Sequence, residues 1–448
     1  MKVVVIDDDP TGSQTVHGCP LLLRWDVPTL REGLRHPSSM LFLLADTRSL
    51  SEPSAAQRNR EIAASLSQAM ALEGLQRHDL QLVSRGDSTL RGHGVLEPAV
   101  LAEAFGPFDA TFHLPAFLEG GRTTVNGVHL LHGQPVHLTP FARDRLFGYA
   151  TSDLAVWLEQ KSDGGIQADA VERIHGGELD QASTQGLSGL LDRLRQLRGN
   201  VPVVVDAERQ QQLKALAAAV RQLRQHKRFL FRSAASWVKA LGDPGPQPLD
   251  ATGLAQLRRR DGHGRGRPGL VMVGSHVPLA DQQLERLLQD PGCRAIELPV
   301  RRIARVLDGP RSDLILTDLE AIWRTQLLEV LLDGHTPVLH SSRGELTFAS
   351  ERQGRRFSQD LARLMARLAA AVTPELGYLI SKGGITTQTL LSEGLGLDSV
   401  HLEGQLMPGL SVVRPSAGPL QGLPILTFPG NLGDAGTLVE AWQRMQAG

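Results

Sequence analysis

Three aspartates in a row, Asp7, Asp8 and Asp9, follow a short apolar run near the start of the chain and lead into Pro10, Thr11 and Gly12. Carboxylates packed this closely repel one another. The arrangement is costly unless they bind a cation, hydroxyl groups or basic side chains. Asp8 or Asp9 is suited to take a proton from a substrate hydroxyl or to help hold magnesium; the plainer alternative is a helix N-cap with spare surface acids. A second stretch, SRGDSTLRGHG, has Arg85 and Arg91 flanking Asp87, Ser88 and Thr89. A guanidinium offers a planar pair of donors matched to carboxylate or phosphate, and the small polar side chains suit hydroxyls. The alternative is an internal Asp–Arg ion pair that orders the loop, and both can hold at once. A third stretch, PAFLEGGRTTVNG, adds Arg122 among glycines that permit tight turns. A hairpin with a surface arginine explains this stretch equally well.

The C-terminal half carries a different set. VGSH places Ser275 at the end of an apolar run, and SSRGE follows another at Ser341 to Arg343. SKGGITTQT contains Lys382, Gly383 and Gly384, and FPGNLGDAGT contains Gly430 and Asn431. Backbone N–H groups in glycine turns that open helices are suited to phosphate. One such turn is ordinary strand-to-helix punctuation; four in one region point to a phosphate-bearing ligand.

Other chemistries find no support. No GxxxxGK[ST] is present, no GxGxxG follows an apolar run, and no GxSxG occurs. His129, His132 and His137 have loosely metal-like spacing without a matching acidic or cysteine partner, so a structural or surface role is expected and metal ligands remain unknown. Cys19 and Cys293 stand far apart and outside any CxxC, which fits buried small residues in a reducing compartment. A net charge of -1 argues against nucleic acid as the main partner. The opening run is too short for a signal peptide, and no stretch has the length of a membrane span. A cytoplasmic protein without membrane or nucleic-acid partners is the expectation, and a homodimer follows from base rates alone.

The loops need a scaffold that aims them. Hydrophobic residues make up 41% of the 448, enough for two cores. Short apolar runs at 3–6, 41–44, 80–83, 111–114, 201–205 and 229–231 alternate with helical patterns, as at 53–72 and 208–224. Residues 120–161 read as an excursion from the sheet. Residues 242–269, rich in Gly, Pro and Arg, read as a solvated linker with a short helical piece. The rhythm resumes with strands expected at 270–274, 295–298, 314–317, 338–340, 378–381 and 425–428. The expected fold is α/β: two α/β domains with mainly parallel sheets, 1–241 and 270–448, and an active site in the interdomain cleft. In such sheets ligands gather beyond the carboxyl ends of the strands, where the polar loops fall.

The motifs in series resemble the four-carbon acid sugar kinases, nearly end to end. The N-terminal markers are DDPTG at 8–12, DSTLRG at 87–92 and GRTTVNG at 121–127; the C-terminal ones are VGS at 273–275, KGGIT at 382–386 and PGNLG at 429–433. Pro10 in place of an aromatic, the additional acid Asp7 and Ile385 in place of an acid depart from the commoner pattern. The resemblance implies transfer of a phosphoryl group from ATP, with Mg2+, to a hydroxyl of a threonate-, erythronate- or 3-oxo-tetronate-type acid. It implies Asp8 and Asp9 as catalytic groups and Thr11, Gly12, Arg85, Asp87, Ser88, Arg91 and Arg122 around the sugar acid. Ser275, Lys382, Gly383, Gly384, Gly430 and Asn431 would meet the nucleotide in an N-terminal sugar-binding, C-terminal nucleotide-binding arrangement. A kinase of another small hydroxy acid, or a non-catalytic binding protein that keeps the fold, is the rival reading.

Overall fold

The computed structural model describes residues 1–448 other than 10, 11, 13, 14, 310, 311, 344–347 and 349. The chain divides into two compact units, Met1–Pro246 and Gln247–Gly448.

In the first unit the strands are β1 (Lys2–Asp7), β2 (Cys19–Leu22), β3 (Met40–Leu44), β4 (Leu80–Arg85) and β5 (Ala110–Leu114). They are followed by β6 (Arg122–Val125), β7 (Val128–Leu131), β8 (Gln134–Pro135), β9 (Glu172–Ile174), β10 (Val201–Val205) and β11 (Phe229–Ser233). The main sheet runs β2-β3-β1-β4-β11-β5-β10-β9, and its pairings are parallel. Both faces are covered: β3, β4, β5 and β11 are buried at every residue, and β1 at every residue after Lys2, with β1 and β3 the most continuously apolar. Val4, Ile6, Leu41, Leu43 and Leu82 pack on Ile62, Leu66 and Leu101 of the helices Glu52–Leu72 and Leu96–Phe105. β3 lies on one side of β1 and β4 on the other, so the winding direction reverses at β1. The carboxyl ends of β1 and β4 therefore open a switch-point crevice, where open α/β sheets bind ligands. The excursion at 120–161 holds a small antiparallel sheet, β6-β7-β8. Asn126 and Gly127 make its first turn at positive φ, as a two-residue hairpin requires.

The second unit contains β12 (Leu270–Val273), β13 (Cys293–Leu298), β14 (Thr336–Ser341), β15 (Leu379–Lys382), β16 (Ser399–Met407), β17 (Leu410–Arg414) and β18 (Ile425–Phe428). The order is β13-β14-β12-β15-β18-β17-β16, parallel from β13 to β18 and antiparallel at β17 and β16. Its switch point lies at β12, between β14 and β15. The strand expected at 314–317 is instead part of the helix Ser312–Leu332. A four-residue apolar run cannot distinguish a strand from one turn of a long helix.

The segment expected as linker is largely folded. Asp250 caps the helix Ala251–Ala255 by accepting from Gly253 N at 2.8 Å, and Leu254 is fully buried in the second unit's core. Its arginines are drawn into backbone contacts: Arg258 donates to the carbonyls of Gly266 and Arg267, and Arg259 to that of Gln421. Leu249, Leu254 and Leu257 supply the apolar surface that holds the segment down. Among the described residues no helix is long and apolar enough to cross a membrane.

Candidate functional site

Asp8 sits one residue past the end of β1 and is 1% exposed. Its Oδ1 is 2.6 Å from Arg48 Nη2 and 3.8 Å from Arg85 Nη1; its Oδ2 is 3.4 Å from Arg48 Nε and 3.6 Å from Arg232 Nη2. Arg48 comes from the loop after β3, Arg85 ends β4, and Arg232 lies in β11, so adjacent parallel strands deliver all three cations to one edge. The question raised by three consecutive carboxylates is thus answered by basic side chains. A buried carboxylate with fewer partners would favour its neutral form.

Asp9 Oδ2 accepts from Arg48 Nη1 at 2.9 Å, and its side chain is 19% exposed. Asp7 is buried, 3.3 Å from Arg85 Nη1, and accepts from Asp9 N at 3.2 Å. Burial, with Asp8 and Asp9 adding to it and Arg85 opposing, pushes Asp7 up to about 7. Asp46 is pushed up to about 7 as well, first by burial and then by Asp9. Gly12 donates to Asp9 O at 3.0 Å, and a Cβ there would collide with the Asp7 carboxylate. Thr11 lies outside the described residues.

The loop after β4 is a second charged knot. Asp87 Oδ2 accepts from Arg91 Nε at 2.8 Å and from Thr89 Oγ1. Burial works to raise Asp87, but Arg48, Arg91 and these hydrogen bonds overcome it and hold the carboxyl well below the usual range. The internal ion pair therefore exists. Arg91 also lies 4.0 Å from Asp144 and over the Phe141 ring at 5.1 Å. Ser88 is buried, and its carbonyl meets His129 Nε2 at 2.8 Å, while Thr124 Oγ1 meets Nδ1 at 3.0 Å. Burial lowers His129 to about 4, so it is a neutral brace for the loop. Arg122 donates to Gly120 O at 2.6 Å over the Phe117 ring, and its buried Nε has no hydrogen-bond partner among the described residues.

Sequence reasoning did not single out Arg48, Arg232 or Glu97. Arg232 bridges Asp8 and Glu97, and Glu97 Oε1 accepts from Thr47 Oγ1 at 2.5 Å. Burial raises Glu97 against the pull of Arg232. Strand ends, read uniformly, lead to Arg48 and Arg232. Glu97, in the first turn of a helix, carries no such signal.

In the second unit Ser275, Gly383 and Gly430 follow β12, β15 and β18, which are adjacent and parallel. The turns converge closely. A Cβ on Gly430 would stand 2.6 Å from Ser275 Oγ, and one on Gly383 would stand 3.3 Å from Ser275 N. Gly383 has φ of +120°, which side chains rarely adopt. Gly384 opens the helix Gly384–Thr389, and Asn431 is exposed. Arg343 Nη1 donates to Ser275 O at 2.7 Å and pairs with Asp281 at 3.1 Å, which fixes the Ser275 turn. Lys382 points inward. Its Nζ donates to Pro429 O at 3.0 Å and Gly430 O at 3.1 Å and lies 4.0 Å over the Phe428 ring. It anchors the Gly430 turn and is itself fully buried. Burial lowers it to about 7.

These carboxylates do not fit a protein-built magnesium cage. Asp8 is surrounded by guanidiniums, Asp9 and Asp87 each hold one, and among the described residues no three His, Cys, Asp or Glu side chains cluster as metal ligands.

The sequence matches a sugar-binding N-terminal domain over residues 3–241 and a nucleotide-binding C-terminal domain over residues 270–438. It is 28% identical to a D-threonate kinase of Cupriavidus necator (89% of this chain, 86% of the relative). It is 25% identical to a D-erythronate kinase of Heliobacterium modesticaldum (97% and 94%) and 25% identical to a 3-oxo-tetronate kinase of Pectobacterium atrosepticum (100% of each). Its fold is that of a solved Salmonella typhimurium LT2 protein, with TM-score 0.68 at 18% identity over 98% of each chain. A Haemophilus influenzae structure gives 0.62 at 15% over 99% of this chain and 100% of that one. With both halves of the sequence matched in order, the chain belongs to the four-carbon acid sugar kinase family.

Proposed function

We propose that the chain is an ATP-dependent kinase that phosphorylates a hydroxyl of a four-carbon acid sugar of the threonate, erythronate or 3-oxo-tetronate type. The observation that carries this reading is the knot of Asp8, Asp9, Arg48, Arg85 and Arg232 at the first unit's switch point. A polyhydroxy acid needs carboxylates for its hydroxyls and guanidiniums for its own carboxylate, and this edge carries both. The glycine turns at the second unit's switch point support a nucleotide phosphate site, because closely packed backbone there leaves N–H donors and little side chain.

Phosphoryl transfer needs positioning and charge stabilisation more than covalent help. In this reading Asp9 accepts the hydroxyl proton. Asp8 is committed to Arg48, Arg85 and Arg232 and holds them in place, a positioning role. Arg91 and Arg122 meet the acid's carboxylate, while Gly12, Asp87 and Ser88 frame its hydroxyls. Ser275, Gly383, Gly384, Gly430 and Asn431 meet the nucleotide, and Lys382 sets the Gly430 turn from behind. Magnesium would be held mainly by the nucleotide phosphates, its usual mode in kinases, and would offset their charge, since these carboxylates form no cage for it.

The test is ADP release from ATP and Mg2+ with D- and L-threonate, D- and L-erythronate and the 3-oxo-tetronates. Release that depends on one of these acids is expected. ATP binding with silence across the panel would reject the four-carbon assignment.

A further inference from the structure

A cavity in the first unit opens beside the charged knot and shares Asp87, Arg91 and Arg232 with it. Its remaining wall combines apolar side chains with His113, Trp157 and Ser233. Two of these, Trp157 and Ser233, carry polar groups without hydrogen-bond partners among the described residues. Ser233 Oγ and Trp157 Nε1 are buried and unpaired, in residues that are 3% and 4% exposed. His113 is 6% exposed and has the Arg232 guanidinium beside it. Buried polar groups are nearly always paired, and leaving one unpaired is costly. Two such groups around one space, with the His113 ring on the same wall, indicate a partner that comes from outside the chain. The sheet fixes them: His113 and Arg232 face each other in register at the ends of β5 and β11, and Ser233 follows. Gly94 leaves the room that Trp157 fills, since a Cβ there would stand 2.5 Å from the indole.

We propose that this cavity is the specificity subsite for a non-reacting hydroxyl of the substrate acid, with Ser233 and His113 as its recognition groups and Trp157 as a further donor. The inference rests on the kinase reading above and adds what selects the acid. The space suits a water-sized polar group. Burial, with the charge of Arg232 beside it, lowers His113 to about 3, so the imidazole is neutral and presents one donor and one acceptor. A hydroxyl, itself donor and acceptor, is complemented by that pair. A site built to bond a hydroxyl rejects the analogue that lacks it, because its own polar groups then stay unpaired.

The experiment compares the best tetronate of the panel with the dihydroxybutanoates that each lack one of its hydroxyls, using wild type, Ser233→Ala, His113→Leu and His113→Gln. For the full tetronate, Ser233→Ala and His113→Leu are expected to lower kcat/KM by about tenfold each, the worth of one hydrogen bond. The loss should be absent for one dihydroxybutanoate, the one missing the recognised hydroxyl. His113→Gln, which keeps a donor and an acceptor, should recover part of the preference. Equal losses on every acid, or no loss, would overturn the subsite and leave a cavity that holds structural water only. If wild type releases ADP with none of the acids, the four-carbon kinase assignment fails, and calorimetric binding of the same acids decides the subsite separately. Tighter binding of the tetronate than of one dihydroxybutanoate, abolished by Ser233→Ala, keeps it; binding without that preference, or no binding, overturns it.

Discussion

The strand ends of the two units present ligands with opposite materials. In the first unit the edge is made of charged side chains: Asp7 and Asp8 meet guanidiniums from neighbouring strands, and Asp87 meets Arg91 of its own loop. In the second the edge is rich in closely packed backbone, and the cations described there, Lys382 and Arg343, hold turns in place through backbone carbonyls. The difference follows from what each edge is proposed to bind. A small acid with several hydroxyls is recognised by side chains of fixed direction, whereas phosphates are met by N–H groups wherever glycine lets the backbone approach. Side-chain recognition therefore concentrates ion pairs, and backbone recognition concentrates positive φ and tight contacts.

Substitutions can break this contrast at defined points. The largest effect is expected from Asp9→Asn, which should lower kcat about 10²- to 10⁴-fold, the range for loss of a general base, with ATP affinity unchanged. Unaltered turnover would remove Asp9 from the chemistry. Asp8→Asn sharpens the distinction between neighbours, because it leaves Arg48, Arg85 and Arg232 without their shared counter-ion. Its cost should appear as about 3–5 kcal/mol of stability in denaturant titration. In the second unit Gly430→Ala places a methyl against Ser275 Oγ. ATP binding should weaken about tenfold, with the sugar acid's affinity unaffected, by calorimetry. Loss of acid affinity instead would break the division of labour.

The smallest effects are two pH slopes of opposite sign. Asp7 is raised by burial from 3.8 to about 7, so the folded chain keeps a proton that the unfolded chain releases. Stability should fall as pH rises through that window, and Asp7→Asn should remove the fall. Lys382 is lowered by burial from 10.5 to about 7, so the unfolded chain binds the extra proton. Stability should rise with pH between those values, and Lys382→Met should flatten the rise. Urea midpoints across the pH range check both.

Much of the scaffold was legible because parallel strands buried on both faces appear as apolar runs, as at Val3 to Ile6 and Ile425 to Phe428. Scanning for such runs passed over β16, whose exposure alternates residue by residue, and the short β2 and β9. It also mistook one turn of the helix Ser312–Leu332 for a strand. Residue type marked Asp8, Asp9 and Arg85 as worth attention, but their partners required the sheet order, whereas the Asp87–Arg91 pair was readable within its own loop. Arg232 is 224 residues from Asp8 in sequence and meets it only because β11 lies beside β4. Lys382 shows the complementary limit: its glycine-rich setting was readable, and its inward direction was fixed by carbonyls 47 and 48 residues away.

The most direct test follows the phosphorus. Phosphorus NMR of enzyme, ATP, Mg2+ and the tetronate panel should show one acid gaining a phosphomonoester signal in step with ADP, with transfer abolished or greatly slowed in Asp9→Asn. Inorganic phosphate as the sole product, or ATP unchanged with every acid, would contradict the account.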